Sequence, residues 1–175
     1  MNRNIKTKLS FEIDKLTNSI ENVVTGDVFQ TEVSLLLKSD LVKINKKFGW
    51  EFNWKMELQS PNKEIYKLTI QNNLQVIQGL ISISFEDNFV LMNLLESAPF
   101  NRGKDKIYLG VPGNLVAFAC KLSFQRGYGG YVSFISKSKL INHYIDILGA
   151  THLGGNLMLI NSDAAFKLTN KYFKD

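Results

Sequence analysis

Cysteine, histidine and proline are nearly missing from this chain, and each shortage removes a class of function. The one cysteine, Cys120, excludes an intramolecular disulfide. It falls in an apolar helical stretch, where a thiol serves as a small, inert core residue. The two histidines, His143 and His152, stand in no ligand-type spacing, so no metal is expected. The three prolines form no Pro-rich linker, and no repeat or low-complexity tract divides the chain. A single domain over residues 1–175 is expected. Also missing is any apolar run near the roughly 18 residues of a membrane span. The opening "MNRNIKTKLSFEID" carries Arg3, Lys6 and Lys8 but no apolar signal-peptide core, so the expectation is a cytoplasmic protein with no membrane partner.

What is present suits a folded domain. The chain has 175 residues, 45% of them hydrophobic and 12 of them Phe, enough to bury a core without staples. Lys and Arg outnumber Asp and Glu by 21 to 16, for a formal charge of +5. The densest patch, Lys43, Lys46 and Lys47, reads as the solvated face of a short helix. A nucleic-acid partner would need salt-dependent phosphate contacts, and the lack of an aromatic-basic motif counts against it.

The pattern of residues gives a mixed α/β chain. Ser19–Leu37 reads as β-rich, with "TGD" as a turn; Ser39 is placed to N-cap a short helix, "DLVKINKKF", ended by Gly49. Trp50, Phe52, Trp54, Met56 and Leu58 alternate with polar residues, which predicts a half-buried strand. "IYKLTI", "VIQGLISISF" and "FVLMNLLES" follow as strands with short links, making a four-stranded antiparallel meander. After Ser97 come helix 114–126, strand 131–136, helix 139–148, strand 157–160 and helix 162–173. An antiparallel first half and a βαβ-like second half predict a mixed sheet with helices on both faces.

One stretch, "YLGVPGNLVAFACKLSFQRGYGGYVSF", places glycines and a proline directly before a helix apolar on most faces. Such a helix packs between other elements. Its glycine-rich start leaves backbone N–H groups free to face an anion, or is simply a turn before a core helix.

Four stretches, "LLESAPFNRG", "GVPGNLVAFA", "YVSFISKSK" and "LINHYIDILGA", together resemble the GNAT-type N-acetyltransferase superfamily, over roughly Trp50 to Phe173. "LLESAPFNRG" looks like the family's central strand running into its V-x-P-x-x-R-G segment, with Pro99, Arg102 and Gly103 in the matching places. "GVPGNLVAFA" looks like the pyrophosphate loop and the helix it opens. "YVSFISKSK" looks like the strand that splays from the central one, and "LINHYIDILGA" like the helix ending in Y-x-x-x-G-F. The family's R-G-x-G-x-G is split here by "KDKIYL", Tyr144 stands one residue further from Gly149 than is usual, and Ala150 replaces an aromatic. A bacterial subgroup of GNAT-like proteins is similar in its "ESAPFN…GVPGNL…HY…LGA" pattern.

The resemblance implies a GNAT-like fold with splayed central strands, acetyl-CoA as acyl donor, and transfer to an unidentified amine by direct attack. It implies that Gly110, Val111, Gly113, Asn114 and Leu115 receive the CoA pyrophosphate, together with Arg102 and Gly103. Leu95 and Ser97 would offer backbone groups to the pantetheine amides. Glu96, a carboxylate in an apolar run, is either a base for the amine or a strand-end glutamate paired with Arg102. Tyr144 corresponds to the acid that protonates the departing thiolate, or is a core tyrosine. His143 faces elsewhere on the same helix, Lys137 and Asn142 are polar neighbours, and His152 has no evident partner. Residues 1–49, where such folds shape the acceptor site, match nothing recognisable. The broken R-G-x-G-x-G spacing keeps open a second reading, a GNAT-fold CoA-binding or protein-interaction module without catalysis.

Overall fold

The structure is a computed structural model that describes residues 7–17 and 19–173. Among the described residues, ten strands and four α-helices follow in order, with short 3-10 turns between them. Strands β1 (Ile20–Asn22), β2 (Val28–Phe29) and β3 (Thr31–Leu35) open the chain; α1 (Trp54–Leu58) precedes β4 (Glu64–Ile70), β5 (Asn73–Phe85) and β6 (Val90–Ser97). Then come β7 (Tyr108–Leu109), α2 (Val111–Gln125), β8 (Val132–Ile135), α3 (Ile141–Leu148), β9 (Thr151–His152), β10 (Leu157–Ile160) and α4 (Ser162–Tyr172).

Seven strands form the main sheet in the order β3-β4-β5-β6-β8-β10-β9, and β2-β1-β7 form a small second sheet. Within the main sheet β6 and β8 are the parallel pair, and the other neighbours are antiparallel. A parallel pair needs a crossover, and α2 supplies it, packed on β5, β6 and β8 with α4 against its outer side. Gly79 of β5 faces α2: a Cβ there would lie 2.7 Å from Val111. The neighbouring Ser82 turns the other way, and its hydroxyl donates to Glu57 of α1 at 2.7 Å. Helices therefore cover both faces, as the sequence pattern predicts.

The meander has four strands, but its first is not the expected one. Trp50–Leu58 forms no strand. Asn53 accepts a hydrogen bond from the Met56 N–H at 3.0 Å and so caps α1, while Thr31–Leu35 takes the edge place beside β4. Trp50, Trp54 and Leu58 are spaced four apart, so the same residues satisfy a helical stripe as well as a two-residue alternation. Met56 decides between them: it is 66% exposed, whereas Trp54 is fully buried. The stretch from Lys38 to Phe48 likewise makes two short 3-10 turns rather than one capped helix. Leu37 stands at the cap in place of Ser39, with Asp40 Oδ2 accepting its N–H at 2.8 Å.

Candidate functional site

The central parallel pair is short. Only Val90 with Val132 and Leu91 with Ser133 are in register before β6 and β8 part. Beyond that point β6 continues to Ser97, still bonded to β5 through Ile81–Leu95, Leu80–Glu96 and Gly79–Ser97. Its opposite edge, at Leu94–Ser97, looks into the opening between the strands. Leu95, Glu96 and Ser97 are all nearly covered there, at 4%, 4% and 9% exposure.

The N-terminus of α2 stands at the mouth of this opening. The helix starts at Val111, three residues before the expected Asn114, because Pro112 in its first turn has no N–H to leave unsatisfied. Gly110 occupies the N-cap with φ of 93°, and a Cβ there would meet Thr17 Oγ1 at 2.5 Å and the Ser19 carbonyl at 2.8 Å. Its N–H donates to Asp14 Oδ1 at 3.0 Å. The Cβ direction of Gly113 is filled by the Tyr172 hydroxyl and by Leu16. Val111, Asn114 and Leu115 are buried; the Asn114 amide donates to Thr31 Oγ1 at 2.9 Å. Among the described residues, Asn114 Oδ1 is the buried side-chain polar atom that has no partner.

Glu96 lies on the sheet face away from α2, under the chain that leads into α1. Its Oε2 accepts the Glu51 N–H at 2.7 Å; its Oε1 accepts the Phe52 N–H at 3.2 Å and the Trp54 indole N–H at 2.8 Å. Arg102 approaches Oε2 at 3.5 Å, pairs with Glu51 at 3.0 Å and donates to the Gly49 carbonyl. Both alternatives open in the sequence thus meet a fuller partner set: Glu96 is paired with Arg102, and it also anchors the backbone of residues 51–52. Gly103, next to Arg102, is exposed on the surface loop before β7.

Tyr144 is buried on the inner side of α3, between Phe11 and Phe134 at ring distances of 4.8 and 5.1 Å. Its hydroxyl donates to the Phe11 carbonyl. Burial first, and the nearby Glu12 charge second, push its phenol pKa well above the usual range, so it stays protonated. His143 Nε2 accepts the Ile13 N–H at 2.9 Å. Lys137 and Asn142 are exposed, and His152 bonds the Gly155 carbonyl within its own turn.

No protein-family model matches the sequence, and no curated protein matches it. Solved structures do. A spermidine N-acetyltransferase from Vibrio cholerae, in complex with CoA and spermine, is 14% identical over 78% of this chain and 98% of that one, with a TM-score of 0.54. AtaTR bound with AcCoA is 16% identical over 79% of this chain and 98% of that one, at 0.54. A ribosomal-protein alanine N-acetyltransferase from Escherichia coli is 14% identical over 75% and 90%, at 0.51. The chain has the GNAT fold.

The GNAT fold is complete in about four-fifths of the chain, since the Vibrio cholerae enzyme is matched over nearly its whole length. Sequence reading missed what the stretch before β1 does. Leu9 bridges to Ser136 in parallel, with its N–H to the Ile135 carbonyl at 2.6 Å and its carbonyl taking the Lys137 N–H at 2.9 Å. Phe11, Ile13, Asp14 and Thr17 then meet Tyr144, His143, Gly110 and Tyr172 in turn. Alternation of Leu9, Phe11 and Ile13, all buried, was the available signal.

Proposed function

We propose that the chain binds acetyl-CoA in the groove between β6 and β8 and transfers its acetyl group to an amine. The observation that supports this is the parting of two central parallel strands in front of a helix N-terminus, in a fold shared with CoA-bound and AcCoA-bound N-acetyltransferases. An anion at this end of α2 is supported by the Asp14 carboxylate, which accepts the Gly110 N–H at 3.0 Å and is paired with Lys106 at 3.1 Å.

Acetyl-CoA supplies an activated acyl carbon: an amine attacking it forms an amide, loses a proton and releases CoA as the thiol. In this reading the start of α2, from the N-cap Gly110 to Leu115, holds the pyrophosphate, with the dipole of a 15-residue helix behind it. The edge of β6 at Leu95 and Ser97 pairs with the amide-bearing arm. Arg102, paired with Glu51 and Glu96, and the exposed Gly103 beside it are the remaining residues that the resemblance implies for CoA. Tyr144, kept protonated by burial, gives a proton to the leaving sulfur. Glu96 is assigned an anchoring task, because its two oxygens already accept three N–H donors and it fixes the wall that α1 builds on that face.

A second reading is favoured by one specific observation: the groove is lined on its open side by the chain's own residues 9–17, which suits a GNAT-fold module without turnover. Release of the CoA thiol in the presence of a polyamine, an amino sugar or a peptide α-amine separates the two. Cys120 is fully buried and its thiol is pushed far up by that burial, so it adds no background. Amine-dependent thiol release, with the acceptor gaining one acetyl group, is the expected result. Binding of acetyl-CoA with no release for any acceptor would uphold the second reading instead.

A further inference from the structure

We infer that residues Leu9–Thr17 are a built-in occupant of the groove, and that seating this segment and binding CoA exclude each other. The inference rests on the groove being the CoA site. Val90 N–H donates to the Tyr131 carbonyl, so the odd-numbered residues of β8 turn their backbone groups toward β6. Beyond the point where β6 has parted, that row goes on to the Ile135 carbonyl and the Lys137 N–H. Leu9 takes both, at 2.6 and 2.9 Å.

From there the segment crosses to α2. Phe11 packs on Phe134 and Tyr144 at 5.7 and 4.8 Å, and Ile13 N–H donates to His143 Nε2 at 2.9 Å. Asp14 then places its carboxylate at the Gly110 N–H, and Thr17 N–H donates to the Tyr172 hydroxyl at 3.2 Å. The backbone of Leu9 holds the β8 side of the opening at one end, across from the β6 edge assigned to the arm, and the Asp14 carboxylate sits at the Gly110 N–H at the other. This order reproduces an amide-bearing arm that ends in an anion. It also takes up the Tyr144 hydroxyl, through the Phe11 carbonyl.

Two occupants for one groove make apparent affinity depend on the fraction of molecules with the segment lifted. Asp14→Ala removes a charge-assisted hydrogen bond and its ion pair with Lys106, and leaves the core untouched. Losing such a bond raises the lifted fraction, and with it the CoA affinity, by about ten- to a hundredfold. Phe11→Ser with Ile13→Ser acts on the same segment through its apolar contacts, and far-UV and thermal profiles report whether that variant folds.

The test is calorimetric titration of the full chain with CoA, wild type against Asp14→Ala, with hydrogen exchange on the wild type. Tighter binding by Asp14→Ala is expected, together with loss of protection at the Leu9, Ile13 and Thr17 amides as CoA saturates the wild type. Equal affinities, with those amides still protected at saturation, would overturn the inference while leaving the CoA site standing. If neither folded protein binds CoA at millimolar concentration, the assignment of the groove to CoA falls, and the inference falls with it.

Discussion

Replacing Glu96 by Gln separates an anchoring carboxylate from a catalytic one. The side chain is 4% exposed and accepts three N–H donors, from Glu51, Phe52 and the Trp54 indole. Gln keeps the shape, but one oxygen becomes an NH2 that faces donors. Hydrogen bonds to a charged acceptor contribute about 1.5–3 kcal/mol and neutral ones about 0.5–1.5. At least one donor is left buried and unpaired, at about 1–3 kcal/mol, while the neutral amide recovers part of the carboxylate's desolvation cost. The net expectation is a loss of about 2–4 kcal/mol, or roughly 5–15 °C in Tm for a domain of this size. Urea and thermal unfolding measure it. Trp54→Phe, which removes only the indole donor, gives a double-mutant cycle with Glu96→Gln, and a coupling of at least about 0.5 kcal/mol is expected. A Glu96→Gln protein that melts within a degree of wild type but loses turnover would refute the anchoring role and return Glu96 to proton transfer.

Three further outcomes are expected. Trp54→Ala should cost about 3–5 kcal/mol, because the ring is fully buried, whereas Met56→Ala, at a site 66% exposed, should stay within about 0.5. Comparable losses at both sites in urea unfolding would restore the strand over Trp50–Leu58. Gly110→Ala should lose roughly 1–3 kcal/mol from the left-handed φ alone, plus the clash with Thr17 and Ser19, and urea midpoints at constant m-value check it. Cys120 should react with thiol reagents only as fast as the protein opens globally, since burial holds its thiol well above the usual range. Fast labelling in native buffer would contradict a core position for α2.

Much of the second half of the fold was legible in local pattern. The strand at Leu157–Ile160 and the helix from Ser162 follow directly from apolar runs bounded by turn residues, and so does the central strand ending at Ser97. The failures are of two physical kinds. At Trp50–Leu58 the same residues fit two periodicities, and a local cap from Asn53 together with the distant Glu96 decided between them. At Leu9–Thr17 the structure comes from partners more than 90 residues away in the chain, such as Gly110 and Tyr144, which no local window contains. The insertion "KDKIYL" reads as a defect in a glycine motif, yet Tyr108–Leu109 pairs with β1 and ties the opening segment to the groove's mouth. For the site, the sequence pointed to Gly110, Gly113, Glu96 and Tyr144 one at a time. Their partner sets depend on tertiary contacts between residues far apart in the chain.

The most direct test of the central claim is a map of where CoA lands. A backbone-amide NMR titration of the full chain with CoA, read residue by residue, supplies it. The groove account predicts saturable shifts concentrated at Gly110–Leu115, Leu94–Ser97 and Ile135–Lys137, with matching changes along Leu9–Thr17 as the segment gives way. Saturable shifts that cluster elsewhere, or none at millimolar CoA, would contradict it.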